Sequence, residues 1–138
     1  MRRFAEESTA RGSVQPFGLG YTRVSTSPDG RSGFQDEALP MTAGVYVPGI
    51  PLVDSAEPQP ATALRFSRVS GGYDSDWHPA PRRQFVLILS GVLEVTVGDG
   101  ETRRFGPGSV VFVEDTDGQG HQSRALGTED VVWAAVAV

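Results

Sequence analysis

Glycine and proline interrupt this chain so often that long regular elements are excluded. The 138 residues include 17 Gly and 10 Pro. Proline disrupts helix interiors and glycine favours turns, so both residues shorten the elements around them. No segment keeps a helical hydrophobic period over three turns. The sequence therefore predicts an all-β protein with short strands.

The second half of the chain carries most of the strand signals. Runs of β-branched and aromatic residues alternate there with turn residues. We predict strands at residues 62–70, 84–90, 92–97, 101–105, 109–113, 121–126 and 130–138. Tight turns at Gly91, at residues 98–100 and at residues 106–108 favour antiparallel pairing of consecutive strands. Residues 62–138 are thus predicted to form the core of the domain.

Residues 1–61 have a different composition. Residues 1–19 lack any period, so they are either a mobile arm or an extended cover over the domain. The sequence Ser-Pro-Asp-Gly at residues 27–30 predicts a hairpin that joins strands 21–26 and 31–36. Five prolines between residues 40 and 61 exclude a helix there and favour a wrapping loop, with one edge segment at 44–47.

Two predicted strands, residues 85–89 and 131–138, are apolar on both faces. Such strands need cover on each side. A second sheet can cover one face, and a partner subunit or the N-terminal arm can cover the other. We therefore predict a homodimer that buries Phe85, Leu87 or Leu89 between subunits or sheets.

Charge and composition exclude several classes of function. The net charge is −5 and the sequence pI is about 4.9, so no attraction to nucleic acid or to anionic lipid is expected. The chain has no Cys, which excludes disulfides, thiolate metal sites and cysteine nucleophiles. The longest apolar run, residues 131–138, is too short to span a bilayer, and we expect a cytoplasmic protein.

The segment at residues 72–91, GYDSDWHPAPRRQFVLILSG, resembles the first sequence motif of the cupin family, G-x5-H-x-H-x3-4-E-x6-G. Gly72, His78 and Gly91 fit the spacing. Ala80 stands where the family has a second His, and Gln84 stands where it has Glu. The resemblance therefore keeps the spacing of the motif but changes its ligand set.

The segment at residues 108–125 resembles the second cupin motif, G-x5-P-x-G-x2-H-x3-N, more loosely. Gly108 and the strand after it fit. His121 fits the His position with two extra residues before it. Glu114 replaces the usual Pro, and Ala125 replaces the usual Asn.

Cupin resemblance implies a double-stranded, jelly-roll-like β-barrel with a pocket between two sheets, here with an extended N-terminal arm, and it often implies a dimer. It places His78, Gln84 and His121 at metal-ligand positions, whereas Ala80 removes one ligand. Such a site would take one divalent ion of iron, manganese, nickel, copper or zinc. With a ligand and a negative charge lost, a metal-free site is the alternative.

Each candidate residue also has a structural interpretation. His78 and His121 are either working pocket residues or buried, hydrogen-bonded histidines. Gln84 is either a ligand or a hydrogen-bond partner of an adjacent strand. Trp77 either stacks on a planar ligand in the pocket or fills the core.

Strand parity distinguishes the two arginines before Gln84. If the alternation from His78 to Gln84 continues through the loop, Arg82 faces the pocket mouth and Arg83 faces away. Arg82 would then bind a substrate carboxylate or enolate. The alternative is an ion pair with an acidic side chain: Asp74, Asp76, Glu114, Asp115 or Asp117.

Two classes of function follow. The first is an enzyme acting on a small polar or enolisable substrate, with His78, His121 and Arg82 as catalytic residues and Trp77, Arg82 and Gln84 in the substrate pocket. Its chemistry is proton transfer, as in isomerisation, cyclisation or dehydration, or metal-assisted oxygenation. The second is a module that binds or senses a small ligand without turnover.

Overall fold

Short strands form almost the whole molecule, as the turn-rich sequence predicts. The computed structural model describes residues 14–15 and 18–138, and within these ranges it contains twelve strands and no helix. The strands are β1 (Val14–Gln15), β2 (Gly18–Thr26), β3 (Ser32–Pro40), β4 (Thr42–Gly44), β5 (Val53–Ser55), β6 (Ala63–Val69), β7 (Gln84–Ser90), β8 (Leu93–Val97), β9 (Thr102–Phe105), β10 (Val110–Val113), β11 (His121–Ala125) and β12 (Val131–Ala137). Among the described residues no helix is long and apolar enough to cross a membrane.

The strands form one large sheet, one small sheet and a separate hairpin. The large sheet has the order β1-β2-β10-β7-β12-β6, with β3 paired to β2. Its pairs are antiparallel except β10 with β2, which is parallel. The small sheet has the order β11-β8-β9, and β4 pairs with β5. This is the all-β architecture expected from the sequence.

The core lies between the large and the small sheet. Its buried residues come from both: Val24, Phe34, Ile88, Val95, Val97, Phe105 and Val111. Apolar and polar side chains alternate on β8: Val95 and Val97 are buried, whereas Glu94 and Thr96 bind polar partners. Since Val24 and Phe34 belong to the hairpin β2–β3, that hairpin contributes to the core.

The prediction that consecutive strands pair is wrong at two turns. The turn at Gly91 leads from β7 in the large sheet to β8 in the small one, and residues 106–108 lead from β9 back to β10. A tight turn reverses the chain, but it does not determine which sheet the next strand joins. The turn at residues 98–100 does join neighbours, β8 and β9.

The Pro-rich segment differs in detail from its prediction. The edge strand predicted at residues 44–47 is β4 at Thr42–Gly44, and it pairs with β5, which the sequence did not indicate. Pro48 and Pro51 lie between the two strands, and the region around them forms the connection. Val45, Tyr46 and Leu52 in this connection are exposed.

The prediction for residues 1–19 lies largely outside the described residues. Of this segment, the structure describes β1 and the first residues of β2. β1 pairs antiparallel with β2, with Val14 opposite Leu19.

Candidate functional site

Two histidines distant in sequence meet where the chain enters the small sheet. His78 and His121 form an isolated antiparallel bridge. Each backbone N–H donates to the other residue's carbonyl oxygen at 3.0 Å. The two ring centroids lie 4.9 Å apart. The structure therefore brings together the two residues that the motif spacing singled out.

Gly120 permits this close approach. Its φ is +77°, and a Cβ there would lie 2.0 Å from the carbonyl oxygen of His78. Any side chain at this position would push the two strands apart. The carbonyl of Gly120 also accepts a hydrogen bond of 2.6 Å from the buried hydroxyl of Ser32.

Both imidazoles are held through the same ring nitrogen. His78 Nδ1 lies 2.8 Å from the carbonyl oxygen of Asp76. A carbonyl can only accept, so Nδ1 carries the proton. His121 Nδ1 lies 2.6 Å from Asp115 Oδ2, and a carboxylate likewise accepts. In the neutral rings Nε2 is therefore the nitrogen with the free lone pair.

Asp115 is the residue that holds the ring of His121 in place. Its side chain is fully buried, at 0% exposure, although it is a carboxylate. Its Oδ1 has no hydrogen-bond partner among the described residues. Burying an unpaired carboxylate destabilises the folded state. The contact with His121 therefore offsets the cost of burying Asp115.

Both rings face a cavity of about 400 Å³ between the sheets. This volume lies within the range of small-molecule sites. The innermost lining is apolar and comes from both sheets: Val24, Ile88, Val95, Phe105 and Val111. The exposed lining residues form the mouth of the cavity: Ala63, Leu64, Arg65, Pro81 and Arg82.

The two arginines between His78 and β7 lie on different sides of the chain. Arg82 and Gln84 line the cavity together with His78 and His121. Arg83 points elsewhere, because its guanidinium lies 5.4 Å from the ring centroid of Phe112 and 3.8 Å from Glu114. Arg82 is therefore the arginine of the pair that lines the cavity, although residues 81–83 form a bend before β7 and Pro81 lines the cavity as well.

Trp77 lies outside this group. Its side chain is 36% exposed, and it is not among the residues that line the cavity. The tryptophan that does line the cavity is Trp133 on β12. Sequence reasoning chose Trp77 because it adjoins His78, but adjacent residues in an extended segment point to opposite sides.

The donor set does not fit a resident divalent metal ion. Within the described residues no three side chains of His, Cys, Asp or Glu come together as ligands. The cavity offers His78, His121 and the neutral amide of Gln84, while Ala80 lines it without a donor atom. The nearby carboxylate, Asp115, binds His121 Nδ1 instead. Divalent first-row ions in protein sites take more imidazole or anionic ligands than this.

Sequence reasoning missed the role of Asp115. It considered this residue only as an ion-pair partner of Arg82 or Arg83. The motif spacing gave no sign of it, because the loop that carries His121 is two residues longer than the family pattern. Three acidic residues, Glu114, Asp115 and Asp117, lie between the apolar strand and His121, and nothing in the sequence distinguishes Asp115 from the other two.

Comparison with known proteins identifies the domain. A family model described as a cupin domain matches residues 65–137. No curated protein matches the sequence. A conserved protein of unknown function from Streptococcus pyogenes is a similar solved structure, at 23% identity and TM-score 0.43 over 60% of this chain and 69% of that one.

Two further solved structures are similar over more of the chain. An RmlC-like cupin family protein from Methanocaldococcus jannaschii, with a double-stranded β-helix fold, shares 14% identity at TM-score 0.48 over 77% of this chain and 86% of that one. The Cnp3 cupin domain of Schizosaccharomyces pombe shares 18% identity at TM-score 0.47 over 86% and 87%. The family assignment rests on the match over residues 65–137.

Proposed function

Since this chain belongs to the cupin family, we propose that it is an enzyme that transfers a proton on a small enolisable molecule bound in its cavity. One observation carries the proposal. Both imidazoles that face the cavity have Nδ1 fixed by an acceptor, at 2.8 Å for His78 and 2.6 Å for His121. Each ring therefore presents Nε2 for proton exchange.

His121 is the proton acceptor of this pair. When its Nε2 takes a proton, the ring becomes positively charged. The carboxylate of Asp115, 2.6 Å from Nδ1, stabilises that charge within the protein interior. The same contact fixes the tautomer, so Asp115 acts as a positioning residue for the base.

His78 is the proton donor. Its Nδ1–H stays bound to the neutral carbonyl of Asp76, so His78 enters the reaction as the imidazolium, gives the proton on Nε2 and returns to the neutral ring. With ring centroids 4.9 Å apart, the two imidazoles can reach neighbouring atoms of one bound molecule. His121 removes a proton from carbon. His78 then delivers a proton to a second carbon, which is an isomerisation, or to a hydroxyl that leaves as water, which is a dehydration.

Arg82 stabilises the charge that develops on the substrate. Removing a proton next to a carbonyl places negative charge on the carbonyl oxygen. A guanidinium offers several N–H donors to such an oxygen.

Deuterium incorporation tests this proposal without knowledge of the natural substrate. The protein is incubated in heavy water with a panel of small enolisable ketones, aldehydes and keto acids, and exchange at carbon is followed by mass spectrometry. We expect catalysed exchange on part of the panel. His121→Ala and His78→Ala should each lower the rate about 100- to 10,000-fold.

Gln122→Ala is the matched control. Gln122 follows His121 on β11 but does not line the cavity, so this variant should exchange like the wild type. Equal exchange by the His variants and the wild type would contradict the proposal. Binding of panel compounds without any exchange would instead favour a ligand-binding module.

A further inference from the structure

The arginines of this protein fall into two groups. The described residues contain nine arginines. Seven of them lie within 4.0 Å of an acidic side chain: Arg23, Arg31, Arg68, Arg83, Arg103, Arg104 and Arg124. Arg65 and Arg82 have no such partner among the described residues, and both line the cavity.

Exposure alone does not account for this difference. The side chains of Arg31 and Arg68 are 64% and 74% exposed, yet each still lies within 4.0 Å of an Asp. Arg65 and Arg68 lie on the same strand, and Arg82 and Arg83 are adjacent. In each of these pairs, the residue that lines the cavity is the one without an acidic partner.

Sheet register confirms that Arg65 lies on the cavity side. Ala135 on β12 pairs with Arg65 on one flank and with Val86 on the other. All three line the cavity, as expected for residues in one row across a sheet. Arg65 therefore projects from the edge strand towards the same mouth as Arg82.

The charged side chains that line the cavity are positive, although the net charge of the chain is negative. The net charge of the protein is −5, but the cavity lining contains no Asp or Glu within the part of the chain that the structure describes. Arginine is the side chain best shaped to bind carboxylate or phosphate oxygens through paired N–H donors. The interior below the mouth is apolar.

We propose that the cavity selects an anionic ligand, with a carboxylate or phosphate group held at the mouth by Arg65 and Arg82 and an apolar body below. This inference rests on the proposed function, since it assigns the substrate class of the same site. Arg65 is a specificity-determining residue in this scheme. It holds the anionic group and takes no part in proton transfer.

Three ligands with one apolar body test the proposal. They are hydrocinnamate, phenethyl phosphate and the neutral hydrocinnamide, and binding is followed by tryptophan fluorescence. The chain has two tryptophans. In a Trp77→Phe background the remaining one, Trp133, lines the cavity and reports binding inside it. We expect at least one anion to bind about tenfold or more tightly than the amide.

A pair of double variants isolates the two arginines. Arg65→Gln with Arg82→Gln should abolish the preference for the anion and leave hydrocinnamide affinity unchanged. Arg68→Gln with Arg83→Gln removes the same charge from neighbouring positions and should keep the preference. Tighter binding of hydrocinnamate than of phenethyl phosphate identifies a carboxylate ligand, and the opposite order identifies a phosphate ester.

The outcomes separate this proposal from the proposed function. Equal affinity for anion and amide, or a preference that survives the first double variant, overturns the anion inference while leaving catalysis by the histidines intact. Failure of all three compounds to bind at millimolar concentration overturns it as well. Loss of proton exchange in the histidine variants is independent of all these results.

Discussion

The outer face of the small sheet and the mouth of the cavity both carry paired arginines, but their surroundings differ. On the outer face, Arg124 and Arg104 donate to the two oxygens of Glu94, at 2.6 and 3.1 Å. At the mouth, Arg65 and Arg82 have no acidic partner among the described residues. The same residue type is neutralised on one surface and left uncompensated on the other.

This difference indicates that the outer face contributes to stability and that the cavity binds a ligand. Glu94 and its arginines bind one another across three neighbouring strands, so they contribute to stability. The carboxylate of Asp115 binds Nδ1 of His121, so it does not pair with Arg65 or Arg82. The polar groups that face the cavity are thus left for a ligand, and changes there should affect function more than folding.

The largest effect is expected from placing an acid in the cavity. Ala80→His with Gln84→Glu restores the donor atoms of the cupin motif, and both positions line the cavity. The double variant should take up one zinc ion per chain, because it gains an imidazole and a charged ligand. The wild type should not retain stoichiometric metal after dialysis. Elemental analysis measures both proteins.

Adding His121→Ala to that variant provides the control, since it removes one of the four ligands and should reduce uptake. Stoichiometric metal in the purified wild type, lost in His121→Ala, would show that His78, Gln84 and His121 suffice. The polar groups of the cavity would then serve a metal ion, and would not be left free for an organic ligand.

The next largest effect is expected from changing Asp115, which binds Nδ1 of His121. Asp115→Asn keeps the shape of the side chain but removes the charge that stabilises the protonated ring. Proton exchange should fall about 100-fold or more while KM stays nearly constant, because only charge developed during the reaction is lost. Asp117→Asn, an exposed position on the same loop, should have no effect. Equal loss in both variants would contradict a specific role for Asp115.

Much of this site was predictable, and the reason is the spacing of its motifs. The first motif has fixed spacing from His78 to Gln84, and of the two arginines between them Arg82 lines the cavity whereas Arg83 contacts Glu114. The meeting of His78 with His121 followed from family resemblance. Neither Asp115 nor Arg65 could be chosen, because their roles depend on which strands are neighbours in space.

The fold was predictable to a similar extent. Alternation and turn residues identified the strands from residue 62 onward within a few positions. The crossings between sheets at Gly91 and at residues 106–108 were not, since turn chemistry is local whereas sheet membership depends on the whole core. The pairing of β4 with β5 across two prolines was missed for the same reason.

A smaller effect is expected on the outward face of the large sheet. Phe66 on β6 and Leu89 on β7 are 68% and 50% exposed, whereas Phe85 packs on Tyr21 and Phe112. We propose that a second copy of the chain covers this face, as the apolar strands predicted. Phe66→Ser with Leu89→Ser should weaken the dimer about tenfold or more.

Light scattering at micromolar concentration measures this change. Thr96→Ala on the outer face of the small sheet serves as control and should leave the mass unchanged. A monomeric mass for the wild type would contradict the dimer. The apolar face would then be a second surface, besides the mouth of the cavity, that no other part of the described chain covers.

The smallest effect concerns Glu94. Burial alone would raise its pKa, but the hydrogen bonds and charges of Arg124 and Arg104 outweigh burial and lower the pKa below its ordinary value of 4.5. A lowered pKa stabilises the folded state above pH 4.5, and this stabilisation is lost as the pH falls through the folded value. Glu94→Gln should cost about 1 kcal/mol at neutral pH.

Urea unfolding at several pH values tests this expectation. The difference between Glu94→Gln and the wild type should shrink below pH 4.5. Ligand affinity in the cavity should be the same in both proteins. A difference in stability that does not depend on pH would show that Glu94 acts through packing and not through its charge.

The most direct test of the account is NMR spectroscopy of the imidazole nitrogens. The chain has only two histidines, so labelling the ring nitrogens gives signals from His78 and His121 alone. The account predicts that both neutral rings carry the proton on Nδ1 and that the Nε2 signals shift when a cavity ligand is added. Protons on Nε2, or Nε2 signals unchanged by a ligand that quenches Trp133, would contradict it.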